Sequence, residues 1–377
     1  MKKSIMTLVL LGGFVLGLTI ADLCTPDRVF SAYENRVLAS KPAFSFQALF
    51  TGHFTGDYET YVTDQFTGRD KWISIKTMTD VFLGKKEVNG VYLATDGSLI
   101  EKHAPEDVEK ETEEKRLALL QKLADRQKEK PGNFWVMLVP TADNILTDKL
   151  PAYAAYYNQK EFLDKVTEMI GEDSVINVWD ILNTHKDEYI YYKTDHHWTT
   201  LGAYYGYLAW AADMTNVSYN AETVSKDFLG TLHSKTNLSV APDTIEAYKP
   251  TWQQADSSNL QVYYDLGTVP HDALYEESYL STKNQYGYFL DDNHPFIEIH
   301  RDNAGEATGK TLFIIRDSYA SCLIPFLTEH YETIYVLDLR YYNSRLFPLL
   351  EQYEAQGEMD VLVLYNVIHF LEEFQYY

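Results

Sequence analysis

Thr311-Leu312-Phe313-Ile314-Ile315-Arg316-Asp317-Ser318-Tyr319 passes from an apolar strand into the start of a helix, and the same alternation continues to the chain end. Thr311 to Arg316 reads as a strand and Ser318 to His330 as a helix. Thr333 to Leu337 reads as a strand, Ser344 to Gln356 as a helix, and Asp360 to Tyr365 as a strand with helical residues after it. Short continuous apolar runs suit strands covered on both faces, and strands alternating with helices imply βαβ units and a parallel sheet.

Working outward, Phe134 to Val139 is another apolar strand. Before it, residues 106–130 form a charged amphipathic helix, with Val108, Leu117, Leu120, Leu123 and Ala124 near helical spacing and Pro131-Gly132 as the stop. After it come a helix over 160–170, a strand at Val175 to Val178, a short helix, the polar segment Lys193 to Trp198, and a helix from Thr200 to Met214. Residues 215–308 break the rhythm. Rich in Tyr, Asn, Asp, Ser and Thr, they read as an irregular or β-rich insertion. Residues 23–100 form a juxtamembrane region in which Gly90-Val91-Tyr92-Leu93 with Asp96-Gly97 reads as a hairpin. The expected architecture is an α/β/α sandwich around a mostly parallel sheet over residues 101–377.

Lys2 and Lys3 precede an uncharged run from Ser4 to Ala21, closed by Asp22. Residues 1–22 are therefore a transmembrane anchor or a signal peptide, and the lysines favour a cytoplasmic N-terminus. Either way the rest of the chain lies outside the cytoplasm. Of 377 residues, 45% are hydrophobic, enough to fill a sizeable core. The net charge of −23 argues against a nucleic-acid partner, which needs Lys and Arg to displace counterions. Cys24 and Cys322 are the only cysteines and form no disulfide framework.

Two segments carry chemistry. Ser318 follows a strand and opens a helix, the place where a parallel sheet presents residues to a ligand and where a helix amide can meet an oxyanion. Asp317 or Ser318 as a helix cap is the plainer alternative. A serine nucleophile needs a base, and Asp195-His196-His197-Trp198 offers one. In an extended segment, alternate side chains share a face, so Asp195 would orient His197 while His196 points away. Thr199 and Thr200 as caps of the next helix give the structural alternative. A metal site of Asp195, His196 and His197, with His185 or His233, is disfavoured because no helical His-xxx-His pair is present. No metal or other cofactor is expected.

Asp195-His196-His197-Trp198 resembles the motif of the DHHW family, which is similar to the SGNH-like O-acetyltransferases that modify alginate and other exopolysaccharides. The family's Asp-x-His and Asp-Ser elements match Asp195, His197, Asp317 and Ser318. Further likeness lies in Asn35-Arg36, Pro42, Asp64-Gln65-Phe66 with Arg69, Gly90-Val91-Tyr92, Pro140-Thr141, Asp338-Leu339-Arg340-Tyr341 and Val363-Leu364-Tyr365-Asn366, so that it spans roughly residues 33–377. The resemblance implies an SGNH-hydrolase-like fold in circularly permuted motif order, with Ser318, His197 and Asp195 catalytic. It implies oxyanion donors at the Ser318 amide, near Arg340, and at Asn366. Arg340-Tyr341 stands where a glycine amide is usual, so Arg340 is read as binding substrate or oxyanion, or else as pairing with Asp338. Arg316 likewise replaces a glycine before Asp317. Asn366 has a turn or helix cap as its alternative. Trp198 or Tyr341 would line a sugar groove, unless these aromatics simply pack.

The expected activity is acyl, in the first place acetyl, transfer to hydroxyls of an extracytoplasmic polysaccharide through an acyl-serine. A carbohydrate esterase and an inactive glycan-binding protein are the alternatives. The resemblance alone implies a membrane O-acyltransferase partner that supplies the acyl group.

Overall fold

The computed structural model describes residues 2–31, 36–211, 219–249, 259–302 and 305–376. These divide into two units, Met1–Val88 with Ser234–Ser239, and Asn89–His233 with Val240–Tyr377. Asn35 and the end of the helix expected to reach Met214 lie outside the described residues.

In the first unit, α1 (Lys2–Cys24) carries an apolar window, Ile5–Cys24, of mean hydropathy 2.0 with none of it buried. Among the described residues it is the one helix long and apolar enough to cross a bilayer, and an anchor or a signal peptide has this form. α2 (His53–Gln65) and α3 (Arg69–Phe82) follow. Asp64 is buried near the end of α2 and accepts from both Arg36 guanidinium nitrogens at 2.9 and 2.6 Å and from the Ala39 amide at 2.9 Å. The Arg36 hydrogen bonds, above all, hold the Asp64 carboxyl down to about 2. Gln65 accepts from the Arg28 amide and donates to the Arg28 and Ala39 carbonyls. The Asp64-Gln65 pair thus ties down the segment that follows the apolar helix.

The second unit contains α4 (Lys110–Gln127), β1 (Phe134–Val139), α5 (Gln159–Ile170), α6 (Thr200–Ala211), β2 (Leu260–Tyr264), β3 (Phe296–Arg301), β4 (Thr311–Arg316), β5 (Thr333–Leu337), α7 (Leu346–Glu354), β6 (Asp360–Asn366) and α8 (Val367–Glu373). The sheet order is β1-β6-β4-β5-β3-β2. The first four strands in that order are mutually parallel, and β3 and β2 continue the sheet antiparallel. Successive side chains on a strand point to opposite faces. Leu312 and Ile314 of β4 accordingly join Met137, Leu362 and Leu364 in a core shared with Ala203 and Tyr207 of α6. Phe313 and Ile315 join Val136, Val361 and Val363 in the opposite core, with Leu120 of α4, Phe162 of α5, Leu350 of α7 and Phe370 of α8. Both faces are covered, as the continuous apolar runs require.

Three expectations change. Part of the stretch read as an insertion is built into the sheet, because β2 and β3 bury alternate residues against β5 and its neighbours. The helix expected over Ser318 to His330 is a 3-10 turn at Ser318–Cys322 followed by a short helix at Ile324–Leu327. Pro325 has no amide to donate backwards, so one continuous helix cannot form. Val175 makes a single parallel bridge to Val136 rather than starting a strand, since Asn177 turns the chain by accepting from the Trp179 amide at 3.0 Å. Val91–Leu93 and Leu99–Glu101 pair as the expected hairpin, with Gly97 at φ 85° in the turn.

Candidate active site

β4 and β6 are neighbours, with Arg316 level with Leu364, so the turn after β4 and the end of β6 meet at the carboxyl edge of the sheet. Asp317 caps the turn by accepting from the Tyr319 amide at 3.0 Å, and its other oxygen accepts from the Asn366 amide at 3.1 Å. Ser318 is the first residue of the 3-10 turn. Its amide therefore has no partner inside that turn.

Ser318 Oγ lies 2.8 Å from His197 Nε2, and His197 Nδ1 lies 2.6 Å from Asp195 Oδ1. All three are at least nine-tenths buried. The order that places Asp195 and His197 together is not the extended alternation expected. Residues 193–197 bend, and Asp195 Oδ1 also accepts from the His197 amide at 3.1 Å, closing a two-residue turn that brings the imidazole back over the carboxylate. Asp243 holds the approach by accepting from the Lys193 amide at 2.9 Å and the Thr194 amide at 2.7 Å. Beyond it, Thr199 caps α6 by accepting from the Gly202 amide at 3.2 Å.

The far oxygen of Asp195 accepts from the Thr231 amide at 2.8 Å and from the Thr231 hydroxyl at 3.0 Å. Burial pushes the Asp195 carboxyl up, but the two adjacent imidazoles and these hydrogen bonds outweigh it and hold it well below the usual carboxylate range. An ionised Asp195 can only accept, so it takes Nδ1–H of His197 and leaves Nε2 with a bare lone pair toward Ser318. The Thr231 hydroxyl, having given its proton to Asp195, can only accept from His196 Nδ1 at 2.8 Å. Burial, then the charge of His197, takes His196 down to about 3.

Tyr286 lies flat on His197, with ring centroids 3.8 Å apart and planes 12° from parallel. Its hydroxyl donates to the Ser318 carbonyl at 3.1 Å. One side chain therefore fixes both the imidazole plane and the turn that holds Ser318. Tyr286, Thr231 and Gly230 all come from the stretch whose sequence was uninformative, 32 to 89 residues from what they touch.

Trp198 is placed in the core, not on a surface that a sugar would meet. It is fully buried and its indole donates to the Tyr319 carbonyl at 2.9 Å. A Cβ on Gly206 would stand 2.8 Å from the indole, so α6 reaches this close only through glycine. Tyr341 is exposed, with Arg340 over its ring. Asn366 caps α8 through Oδ1, which accepts from the His369 amide at 2.8 Å, leaving Nδ2 without a partner among the described residues.

Arg340 makes no hydrogen bond to the triad; it clamps Asp338, with Nε on Oδ1 at 2.9 Å and Nη2 on Oδ2 at 2.6 Å. Arg316 is fully buried 3.5 Å from the same carboxylate, and both guanidiniums donate to Asn293 Oδ1. The arginine found in place of glycine before Asp317 thus has its counter-charge one strand away. Asp338→Ala would strand Arg316 in the interior. We expect a loss of about 3–5 kcal/mol in urea-unfolding stability; a loss under about 1 kcal/mol would mean that the pair contributes nothing to holding the turn.

Asp195, His196 and His197 bring candidate ligand atoms within 4.8 Å of one another. Both His197 nitrogens are engaged in the triad and His196 Nδ1 by Thr231, so an ion there would replace those hydrogen bonds. His185 instead bonds Glu188, and His233 lies 3.4 Å from Lys283 Nζ.

A family model described as DHHW protein matches residues 107–337. The chain belongs to the DHHW family. A DHHW family protein from Eubacterium siraeum has a similar solved structure, with TM-score 0.60 and 21% identity over 76% of this chain and 93% of that one. Bacillus cereus PatB1, solved with a sulfonyl adduct, is similar with TM-score 0.61 and 22% identity over 74% of this chain and 95% of that one. The O-acetyltransferase domain of Pseudomonas putida AlgJ aligns at TM-score 0.44 and 12% identity, over 75% of this chain and 92% of that domain. No curated protein matches the chain. The DHHW chain therefore shares its mixed α/β fold and mostly parallel sheet with solved relatives across most of their length.

Proposed function

We propose that this DHHW chain is an extracytoplasmic serine acyltransferase of SGNH type, in circularly permuted order, that moves an acyl group, in the first place acetyl, onto polysaccharide hydroxyls. The observation that carries the reading is the unbroken hydrogen-bond line from Asp195 through His197 to Ser318 Oγ at the carboxyl edge of the sheet.

His197 Nε2 takes the Ser318 proton as Oγ attacks the acyl carbonyl carbon of the donor ester. The carbonyl oxygen gains the negative charge and accepts from the Ser318 amide and from Asn366 Nδ2. Collapse breaks the bond to the donor oxygen, which leaves with the proton from His197. An acceptor hydroxyl then gives its proton to His197 and attacks the acyl-serine carbonyl. The second collapse returns the proton to Ser318 Oγ and releases the new ester. Water in the same place would make the protein an esterase. Asp195 keeps the tautomer and offsets the imidazolium charge throughout.

The sulfonyl adduct of PatB1 supports a nucleophile in this fold, since sulfonylating reagents capture activated side-chain nucleophiles. The apolar α1 supports an outside location; delivery of the acyl group by a membrane O-acyltransferase is what the family resemblance implies. Incubation with a fluorophosphonate probe tests the reading. Wild type is expected to label at Ser318 and Ser318→Ala not at all; equal labelling of both would remove Ser318 from the mechanism.

A further inference from the structure

A cleft of about 480 Å³ lies beside α8, lined among others by Glu101, Asp107, Glu109, Thr112, His369 and Glu372. None of the steps above uses it. Its size is that of ordinary small-ligand sites. It is tied to the nucleophile turn through His369. The ring's Nδ1 lies 2.9 Å from Asp317 Oδ2, and Asp317 is the residue before Ser318. The His369 amide is held by Asn366 Oδ1. Its ring centroid lies 5.6 Å from that of His196 and 6.4 Å from that of Tyr319.

Asp317 is fully buried and accepts Nδ1–H, so a second Asp–His pair adjoins the turn that holds Ser318. Nε2 of His369 has no partner among the described residues, and the residue keeps a fifth of its side chain exposed. His369 is one of the residues that line the cleft. Burial lowers the His369 pKa, but the hydrogen bond to Asp317 and its charge outweigh this and raise it, favouring a ring that donates from Nε2.

We propose that this cleft is the acceptor subsite and that His369, through Nε2, binds a sugar hydroxyl or ring oxygen there; this rests on the reading of Ser318 as the acyl carrier. Glu101, Asp107, Glu109 and Glu372 outnumber the cations Lys102 and His103 along the walls; burial lowers the His103 pKa, but Asp143 and Glu101 outweigh it and raise it to about 10. A polyuronate would meet like charge on entry, so the acceptor is a neutral or amine-bearing glycan.

The variant that isolates the idea is His369→Asn, because an asparagine amide can replace Nδ1–H on Asp317 while Nε2 is lost. Thr112→Trp, at a cleft-lining position of α4, fills the cleft away from Asp317 and guards against a turn disturbed by the first change. The full chain in detergent is given a chromogenic acetyl ester with chitopentaose, a chitosan pentamer or a galacturonate pentamer. Transfer to the two uncarboxylated sugars is expected. His369→Asn should raise the acceptor KM at least about tenfold, the loss of one charge-assisted hydrogen bond, and Thr112→Trp should raise it by filling the space the sugar needs, while Ser318 still labels with fluorophosphonate. An unchanged acceptor KM in both variants, or galacturonate as the best acceptor, overturns the subsite. Ester hydrolysis by wild type with no transfer to any sugar overturns it as well, with the nucleophile intact. Loss of labelling in wild type would instead strike the acyl-serine reading itself.

Discussion

His197→Ala is expected to lower kcat/KM for a chromogenic acetyl ester by about a million-fold, the loss seen when the base of a serine triad is removed. Nε2 is the only group within hydrogen-bond reach of Ser318 Oγ among the described residues, at 2.8 Å. Without it the hydroxyl keeps its proton. Ser318→Ala should cost as much, and the double variant no more, because the two act as a unit. Asp195→Asn should cost about ten-thousand-fold by a different route. An asparagine amide facing Nδ1 forces the imidazole proton onto Nε2, where it points at the nucleophile instead of receiving from it. His196→Ala should cost far less, since His196 bonds Thr231 and not Ser318. Steady-state kinetics of the five proteins decide the matter. If His196→Ala proved the more damaging of the two histidine changes, the assigned base would be wrong.

The parallel half of the sheet could be read from the chain because each of its strands is a continuous apolar run, buried on both faces, with a helix after it. β2 and β3 could not. Leu260 to Tyr264 and Phe296 to Arg301 bury alternate residues, and loops rich in Tyr and Asn surround them; nothing local distinguishes such strands from irregular chain. The candidate triad was legible in part. Asp195 and His197 are two apart and Ser318 sits at a strand end, but a two-residue turn closed by the His197 amide on Asp195, and not the expected extended alternation, brings the first two together. The groups that hold them were not. Tyr286 stacks on His197 from 89 residues away, and Thr231 reaches Asp195 across 36. Arg340 shows the limit of positional reasoning. It stands at the end of a strand as expected, but its fork is satisfied by Asp338 two residues earlier. His369 follows Asn366 by three residues, so a cap-and-histidine pattern was present in the sequence; only the spatial meeting with Asp317 gives it meaning.

Gly230→Ala should disable the site without altering any group that takes part in the chemistry. A Cβ at Gly230 would stand 2.3 Å from Asp195 Cβ and 2.4 Å from its Oδ2, well inside contact distance. Neither side can yield cheaply. The Gly230 amide donates to Thr194 Oγ1 at 3.0 Å, and Asp195 is held through both oxygens by Thr231 and His197. Relief therefore has to come from displacing the carboxylate, which releases His197 Nδ1 and with it the tautomer. We expect kcat to fall toward the Asp195→Asn level, about ten-thousand-fold. Stability should drop by about 1–3 kcal/mol, the usual cost of overpacking. The double variant with Asp195→Asn separates this route from general damage. If the methyl acts only through Asp195, Gly230→Ala added to Asp195→Asn should leave kcat where Asp195→Asn alone put it. A folded Gly230→Ala protein, checked by its thermal midpoint, that keeps wild-type kcat would show that Asp195 can move aside without cost. The carboxylate would then not be the element that orients His197.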